Sequence, residues 1–370
     1  MTHHPDVAIV GAGIVGLTLA WRCAQRGLTV TVFHDELPGT SSAAAPGMLS
    51  PVSAGDFPDP LLLKFAEDAR RRWPGFAVEL AGGTGTDLGY STTGILLVAH
   101  DAADHDRVSR MYNFRDGSGG VCEPLDARGL RAREPLLASD CLGGGYVTDD
   151  HYVDAQRVVA ALRAAVRSLG VRFVDRRVRS LDELSAGAVV VAAGAWSGDL
   201  LSCPVTPVKG QVVLLHDPSG RKGIRHAIRG VVGGEPVYLA DRPGGFTVVA
   251  ATMEHAGFDA QPTDAGTGSL LRKATALVPT LAHHDVVAAT AGLRPDTPDH
   301  LPLMGEVPAR PRIFACTGHY RHGVLLAPLI ADRMTALIVD GVDDIPAAFA
   351  PGRFDMAALT TGSAKEGSSA

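Results

Sequence analysis

Near the N-terminus the period of the apolar positions changes twice. A four-residue apolar run, VAIV at 7–10, gives way after a glycine-rich turn to helical spacing from Ile14 to about Arg26, and a β-branched run, TVTVF at 29–33, follows. The pattern predicts strand, helix, strand. Residues 38–51 are a loop of Gly, Ser, Ala and Pro, and a helix is expected around 60–80, where Leu61, Leu62, Phe65, Ala69 and Trp73 recur near helical spacing. Short apolar runs at 94–99, 205–215, 236–240 and 246–252, bounded by polar residues or glycine, predict an antiparallel sheet rather than further βαβ units. Between them, DAQRVVAALRAAVRSLG at 154–170 predicts an amphipathic helix, VRFV at 171–174 a strand, and AVVVAAGAW at 188–196 a buried strand ending on a glycine turn. The block at 285–340 predicts an apolar approach to AGLRP, a strand at IFACTG and a helix from about Leu325 to Val339.

The expected class is α/β: a Rossmann-like domain of residues 1–80, 150–204 and 288–350, with a discontinuous antiparallel-sheet domain of 81–149 and 205–287. The small, polar tail at 351–370 is expected to be disordered, and no internal repeat is found.

Composition narrows the function classes. The chain has 370 residues, 46% of them hydrophobic, and 34 basic against 40 acidic side chains for a net charge of −6. That is enough apolar surface for two domains, and no basic run collects phosphates, so nucleic acid is not an expected partner. The cysteines, Cys23, Cys122, Cys141, Cys203 and Cys316, are odd in number, widely spaced and without a C-x-x-C pair. They read as reduced thiols of a cytoplasmic chain, with neither a metal site nor a disulfide framework. No signal-peptide pattern and no run of about 20 apolar residues is found, so no membrane partner is expected either.

Gly11, Gly13 and Gly16 stand as G-x-G-x-x-G between the first strand and its helix. In that context the motif binds the ADP half of a dinucleotide: Gly11 allows a tight turn, Gly13 lets a pyrophosphate approach the backbone, and Gly16 lets helix and strand pack closely. The helix N-terminus, with Ile14 and Val15 in its first turn, offers N–H donors and partial positive charge. Where an acidic residue usually holds the ribose, His34 stands instead, with Asp35 next, so either is the candidate partner. Glycines alone do not separate FAD from NAD.

Four later motifs do: TSSAAAPGMLSP at 40–51, PVKGQVVLL at 207–215, TAGLRPDTPDHLPLMG at 290–305 and TGHYRHGVLLAP at 317–328. Together the chain resembles the D-amino-acid oxidase family of flavoproteins, over about residues 6–345, and within it the branch that oxidises glycine for thiamine biosynthesis. The resemblance implies FAD, an FAD-binding Rossmann-like domain in discontinuous segments, and an antiparallel substrate sheet over the flavin. It places Ser41, Ser42, Pro46, Gly47 and Met48 beside the FAD, with Pro46 removing one N–H where such loops commonly carry Ala or Gly. It places Val178 at the adenine end and Gly194 in the turn after the buried strand. His319, Tyr320, Arg321, His322, Gly323, Val324 and Leu325 lead into a helix whose N-terminus points at the flavin ring or phosphates.

For the chemistry, the resemblance implies Arg294 as the fork that grips a substrate carboxylate and Tyr238 as a hydroxyl donor to the same group. Arg321 lies close to the flavin, and Met253 is a pocket wall or, on its residue type alone, a core side chain. The implied reaction is oxidative deamination of glycine, with sarcosine and small D-amino acids, by hydride transfer to the flavin without a side-chain base. Oxygen is the implied acceptor, giving hydrogen peroxide and an imine or glyoxylate. A related D-amino-acid oxidase or dehydrogenase, and a flavin-binding partner protein without turnover, are the alternatives. The resemblance also implies a homotetramer.

Overall fold

The computed structural model describes residues 4–53, 59–113, 122–220 and 223–354. The first apolar run is β1 (Val7–Val10), buried along its length because parallel strands flank it on both sides. Helix α1 (Ile14–Gln25) and β2 (Val30–His34) complete the predicted unit. The small-residue loop contains the short strand β3 (Met48–Leu49). Helix α2 (Pro60–Thr84) begins where the Asp59 carboxylate accepts from the Leu61 N–H at 2.6 Å.

The middle of the chain forms β4 (Ile95–Ala99), α3 (Ala102–Asn113), β5 (Cys122–Asp126), α4 (Ala127–Arg133), β6 (Gly143–Val147) and β7 (His151–Tyr152). Next come α5 (Ala155–Ser168), β8 (Arg172–Asp175), β9 (Ala188–Val191) and the short α6 (Ser197–Leu201). Strands β10 (Thr206–His216), β11 (Ala227–Val232), β12 (Glu235–Arg242) and β13 (Phe246–Ala250) precede α7 (Asp264–Leu277). The chain then runs through β14 (Asp285–Asp296), β15 (Leu303–Glu306), β16 (Ile313–Thr317) and α8 (Gly323–Asp340). Residues 351–353 form a short turn of helix, and 355–370, expected to be disordered, lie outside the described residues.

Among the described residues one sheet has six strands in the order β15-β16-β9-β1-β2-β8, parallel except for β15 at its edge. Helices α1, α2, α5 and α8 share its core. Helix α8 is apolar nearly all round and packs against both α1 and α2, which buries Leu325, Leu326, Leu329, Ile330 and Met334. The Trp73 indole on α2 donates to the Leu325 carbonyl at 2.9 Å and so fixes the first turn of α8.

The second sheet runs β14-β10-β13-β12-β11-β4-β6-β5. It departs from the sequence reading in two ways. The expected antiparallel sheet contains one parallel pair, β4 with β11. Strand β4 comes from a distant segment and no hairpin dictates its direction. The boundary expected at 287/288 falls inside β14, which stays in this sheet to Asp296 because it pairs with β10 along nearly its whole length.

The two sheets meet at the loop of small residues. Leu293 on β14 donates its N–H to the Gly39 carbonyl at 2.8 Å and accepts from the Ser41 hydroxyl. Further on, Gly47 accepts from the Val153 N–H at 2.9 Å, and β3 pairs with β7. The buried guanidinium of Arg242, on β12, donates to the Pro46 carbonyl at 2.7 Å and the Val153 carbonyl at 2.9 Å while pairing with Asp154 at 3.0 Å. Pro46 therefore contributes its carbonyl, and the N–H it lacks is not what this loop uses here. Gly47 has φ +84°, and a Cβ there would lie 1.8 Å from the Val153 carbonyl oxygen. Gly47→Ala is expected to lose more than about 2 kcal/mol of stability, read as a lower urea midpoint at unchanged slope.

Candidate active site

A cavity of about 920 Å³ is lined by residues of both sheets. Every residue singled out in the sequence lines it except Gly16. Gly16 serves packing instead: a Cβ there would sit 2.1 Å from the Gly11 carbonyl oxygen. Gly11, at φ +116°, likewise could carry no side chain, since its Cβ would lie 2.3 Å from the Ala192 carbonyl oxygen at the end of β9. Gly13 is different. Its backbone is ordinary, and the nearest atom to a methyl group at this position would be the Ser42 hydroxyl at 3.3 Å, so the protein alone does not demand glycine there. A ligand approaching the backbone would. Ser42 also accepts from the Ile14 N–H at 3.0 Å, and no acidic residue occupies the first turn of α1.

Toward the C-terminal ends of β2 and β8 the cavity is lined by His34, Asp35, Val178 and three arginines, Arg176, Arg177 and Arg179. The His34 Nε2 is 2.6 Å from the Asp175 carboxylate, so one ring nitrogen is already engaged, and Asp35 faces the same space. The arginines were not singled out from the sequence, although RRVR at 176–179 is a visible cluster.

At the other end stand Arg294, Tyr238, Arg321 and Met253, joined by Arg229, Thr252 and Gly210, which sequence reasoning did not name. The Arg294 guanidinium donates from Nη1 to the Lys209 carbonyl at 3.3 Å and to the Thr252 carbonyl at 3.2 Å, and from Nη2 to Thr252 at 3.2 Å. Those bonds occupy one edge and leave the Nε–H and the second Nη2–H, the parallel pair that matches a carboxylate. Burial lowers the Arg294 pKa, but a guanidinium starts so high that it stays charged. The Tyr238 hydroxyl is buried and has no hydrogen-bond partner among the described residues, and burial pushes its pKa far up, so it keeps its proton for donation.

Met253 is not a core side chain. It is 56% exposed at the cavity wall, with its Sδ accepting from the Tyr320 hydroxyl at 3.3 Å. The 317–325 loop turns on Gly318 and Tyr320, at φ +70° and +47°, and delivers Gly323, Val324 and Leu325 at the start of α8. No side chain caps that helix and no acidic residue sits in its first turn, so its N–H donors face the cavity. His319 and His322 are buried beside it and pushed down to about 3, His319 by burial and His322 by burial and then by Arg321 and Arg229. Both rings are neutral, and the His319 Nε2 has no partner among the described residues.

Residues 6–337 match the family model described as FAD dependent oxidoreductase. The chain belongs to that family. Among curated relatives of this oxidoreductase, a glycine oxidase of Geobacillus kaustophilus is 34% identical over 89% of the chain and 91% of its own length. A bifunctional ThiO/ThiG protein of Synechocystis is 34% identical over 96% of the chain, which spans only 55% of that longer protein. The crystal structure of the glycine oxidase from Geobacillus kaustophilus superposes with a TM-score of 0.86 at 31% identity, covering 95% of this chain and 100% of that one. FAD is thus the oxidoreductase's cofactor, and the residues present fit it: a glycine cleared for a ligand, helix N-termini at α1 and α8 without acidic residues in their first turns, and orphaned polar atoms on Tyr238 and His319.

Gly13→Ala is expected to leave the unfolding free energy of the FAD-free protein, from urea titration, within about 1 kcal/mol of wild type while weakening FAD binding at least about tenfold by fluorescence titration. Gly11→Ala, by contrast, should lower the unfolding free energy itself. The two neutral histidines set a pH dependence. The unfolded chain takes up protons near the ordinary histidine value of 6.5 and the folded chain only near 3, so their contribution is complete above 6.5 and lost as pH falls. Between pH 6.5 and 4.5 the unfolding free energy of the FAD-free protein should fall by up to about 1.4 kcal/mol per pH unit for each ring, and His319→Gln should flatten that slope.

Proposed function

We propose that this oxidoreductase is a glycine oxidase, taking glycine together with sarcosine and small D-amino acids, and that it serves thiazole formation in thiamine biosynthesis. The observation that carries this reading is the Arg294 guanidinium, tied by one edge to backbone carbonyls with the other left unbonded, in a cavity that the unpartnered Tyr238 hydroxyl also lines. That pair recognises a small carboxylate in a fixed orientation. The glycine oxidases among the relatives support the choice of substrate.

Arg294 holds the carboxylate as a charge-assisted fork, and Tyr238, protonated throughout the working range, adds one donor. Arg321 and the N-terminus of α8 contribute positive potential at the same end, to which the neutral imidazoles of His319 and His322 add no charge. The neutral amine of the substrate needs no side-chain base at Cα. FAD, when bound, supplies the two-electron acceptor for oxidation of the Cα–N bond, with O2 taking the electrons on to hydrogen peroxide. The imine leaves for hydrolysis to glyoxylate or for direct use.

The same reading makes the protein a cytoplasmic homotetramer. For the compartment, the support is Cys23, Cys141 and Cys203, thiols outside any disulfide and pushed up to about 11 by burial. Among the described residues, too, no helix is long and apolar enough to cross a membrane.

The purified protein should be yellow and release peroxide in air with glycine, ranked against sarcosine and D-alanine in a coupled peroxidase assay. Arg294→Ala should cut kcat/KM for glycine by about two orders of magnitude or more, since a charged hydrogen-bond pair is removed. Activity with dye acceptors but none with O2 would replace the oxidase by a dehydrogenase. A colourless protein that takes up no FAD would overturn the reading.

A further inference from the structure

Gly210 stands in the middle of β10, and the reason for glycine there is neither a turn nor an unusual backbone. Its φ lies outside the left-handed region, unlike that of Gly11 or Gly47. In the β10–β14 ladder it pairs with Gly292, two residues along from the Val208–Arg294 pair. A Cβ at 210 would lie 2.1 Å from Arg294 Nη2, 2.4 Å from Cζ and 2.5 Å from Nη1, and these are its three nearest atoms. All three belong to one plane. The guanidinium therefore lies against the bare Cα of Gly210, in the volume a side chain would fill.

The strand beneath cannot retreat. On one side of Gly210, Lys209 exchanges backbone hydrogen bonds with Glu254 at 2.9 and 3.0 Å, and its buried ammonium reaches Asp259 at 2.9 Å. On the other, the Gln211 side chain donates to Glu254 at 2.8 Å and accepts from the Thr263 N–H at 2.7 Å. These bonds pin β10 to the 252–263 segment, whose Thr252 carbonyl holds Arg294. Between a fixed strand and a fixed segment, the side chain with room to yield is the arginine.

We propose that Gly210 is a positioning residue for the carboxylate fork: its missing side chain is the seat that turns the Nε–Nη2 edge of Arg294 toward the substrate. The inference rests on the reading of Arg294 as carboxylate ligand. A methyl group at 210 lifts the guanidinium from the Lys209 and Thr252 carbonyls and rotates that edge away, with Tyr238 and the cofactor cradle untouched.

The test is a double-mutant cycle on the FAD-loaded protein, with glycolate as the probe and its Kd read from the change in flavin absorbance. Gly210→Ala is expected to weaken glycolate at least tenfold and to raise KM for glycine more than it lowers kcat, with FAD content as in wild type. In an Arg294→Gln background the same substitution should change the glycolate Kd less than twofold, because the group it acts through is gone. Unchanged glycolate affinity in Gly210→Ala, or an equal loss in both backgrounds, overturns the proposal. Arg294→Gln that binds glycolate like wild type removes the carboxylate reading itself, and the proposal with it. Should Gly210→Ala fail to fold, Gly210→Ala/Arg294→Lys decides: folding regained supports the clash with the guanidinium, and folding still lost overturns it.

Discussion

The backbone of Leu293 is held from both sides by the small-residue loop, its N–H by Gly39 and its carbonyl by Ser41, and the cavity depends on that seam. Leu293 belongs to the second sheet, and the loop that grips it leads on to the segment lining the first. The residue immediately after it is Arg294. One short stretch of hydrogen bonding thus fixes how the sheets meet and where the guanidinium emerges. Arg242 repeats the arrangement further along, reaching from the second sheet to the Pro46 and Val153 carbonyls. Buried backbone groups are costly to separate from their partners, most of all where the partner is charged as at Arg242, so both contacts resist sliding of one sheet on the other.

Within that frame positive charge predominates, with seven arginines lining the cavity against Asp35, Glu36 and Asp199. Two helix N-termini without acidic first turns, Arg294, Arg321 and the arginines at 176–179 all face the cavity. The histidines that could have added switchable charge are buried deeply enough to stay neutral. An anionic dinucleotide and a small carboxylate are both drawn to such a site, and the two ends differ in what they offer: the α1 N-terminus and the arginines at 176–179 at one, the α8 N-terminus and the fixed fork of Arg294 at the other.

The βαβ unit, α5 and α8 were legible in the sequence because each is set by a local period, and β1 and β9 because buried parallel strands are continuous apolar runs. Strand direction is not written in a period, so the parallel β4–β11 pair was invisible, as was the sheet to which β14 belongs. The site followed the same division. Arg294 was found through its motif and the two helix N-termini through theirs, whereas Gly210 sat in a quoted motif without a role, because its role comes from a neighbour across the ladder. Met253 has no periodic context to distinguish core from rim. His34 was recognised as a departure, but its partner Asp175 ends a strand far along the chain, and only the β2–β8 register brings them together.

The parallel pairing of β4 with β11 also orders events during synthesis. Residues 95–99 cannot find their parallel neighbour until residues 227–231 have been made, and β9 waits nearly as long for β16 at 313–317. Neither sheet can be finished from an N-terminal fragment, and the seam at Leu293 closes only after both have most of their strands. The nascent chain therefore carries unsatisfied strand edges for much of its time on the ribosome, the situation in which chaperone holding matters most. A cut placed between β6 and β10 would separate strands that must pair, which makes this fold a poor candidate for splitting into independently folding halves.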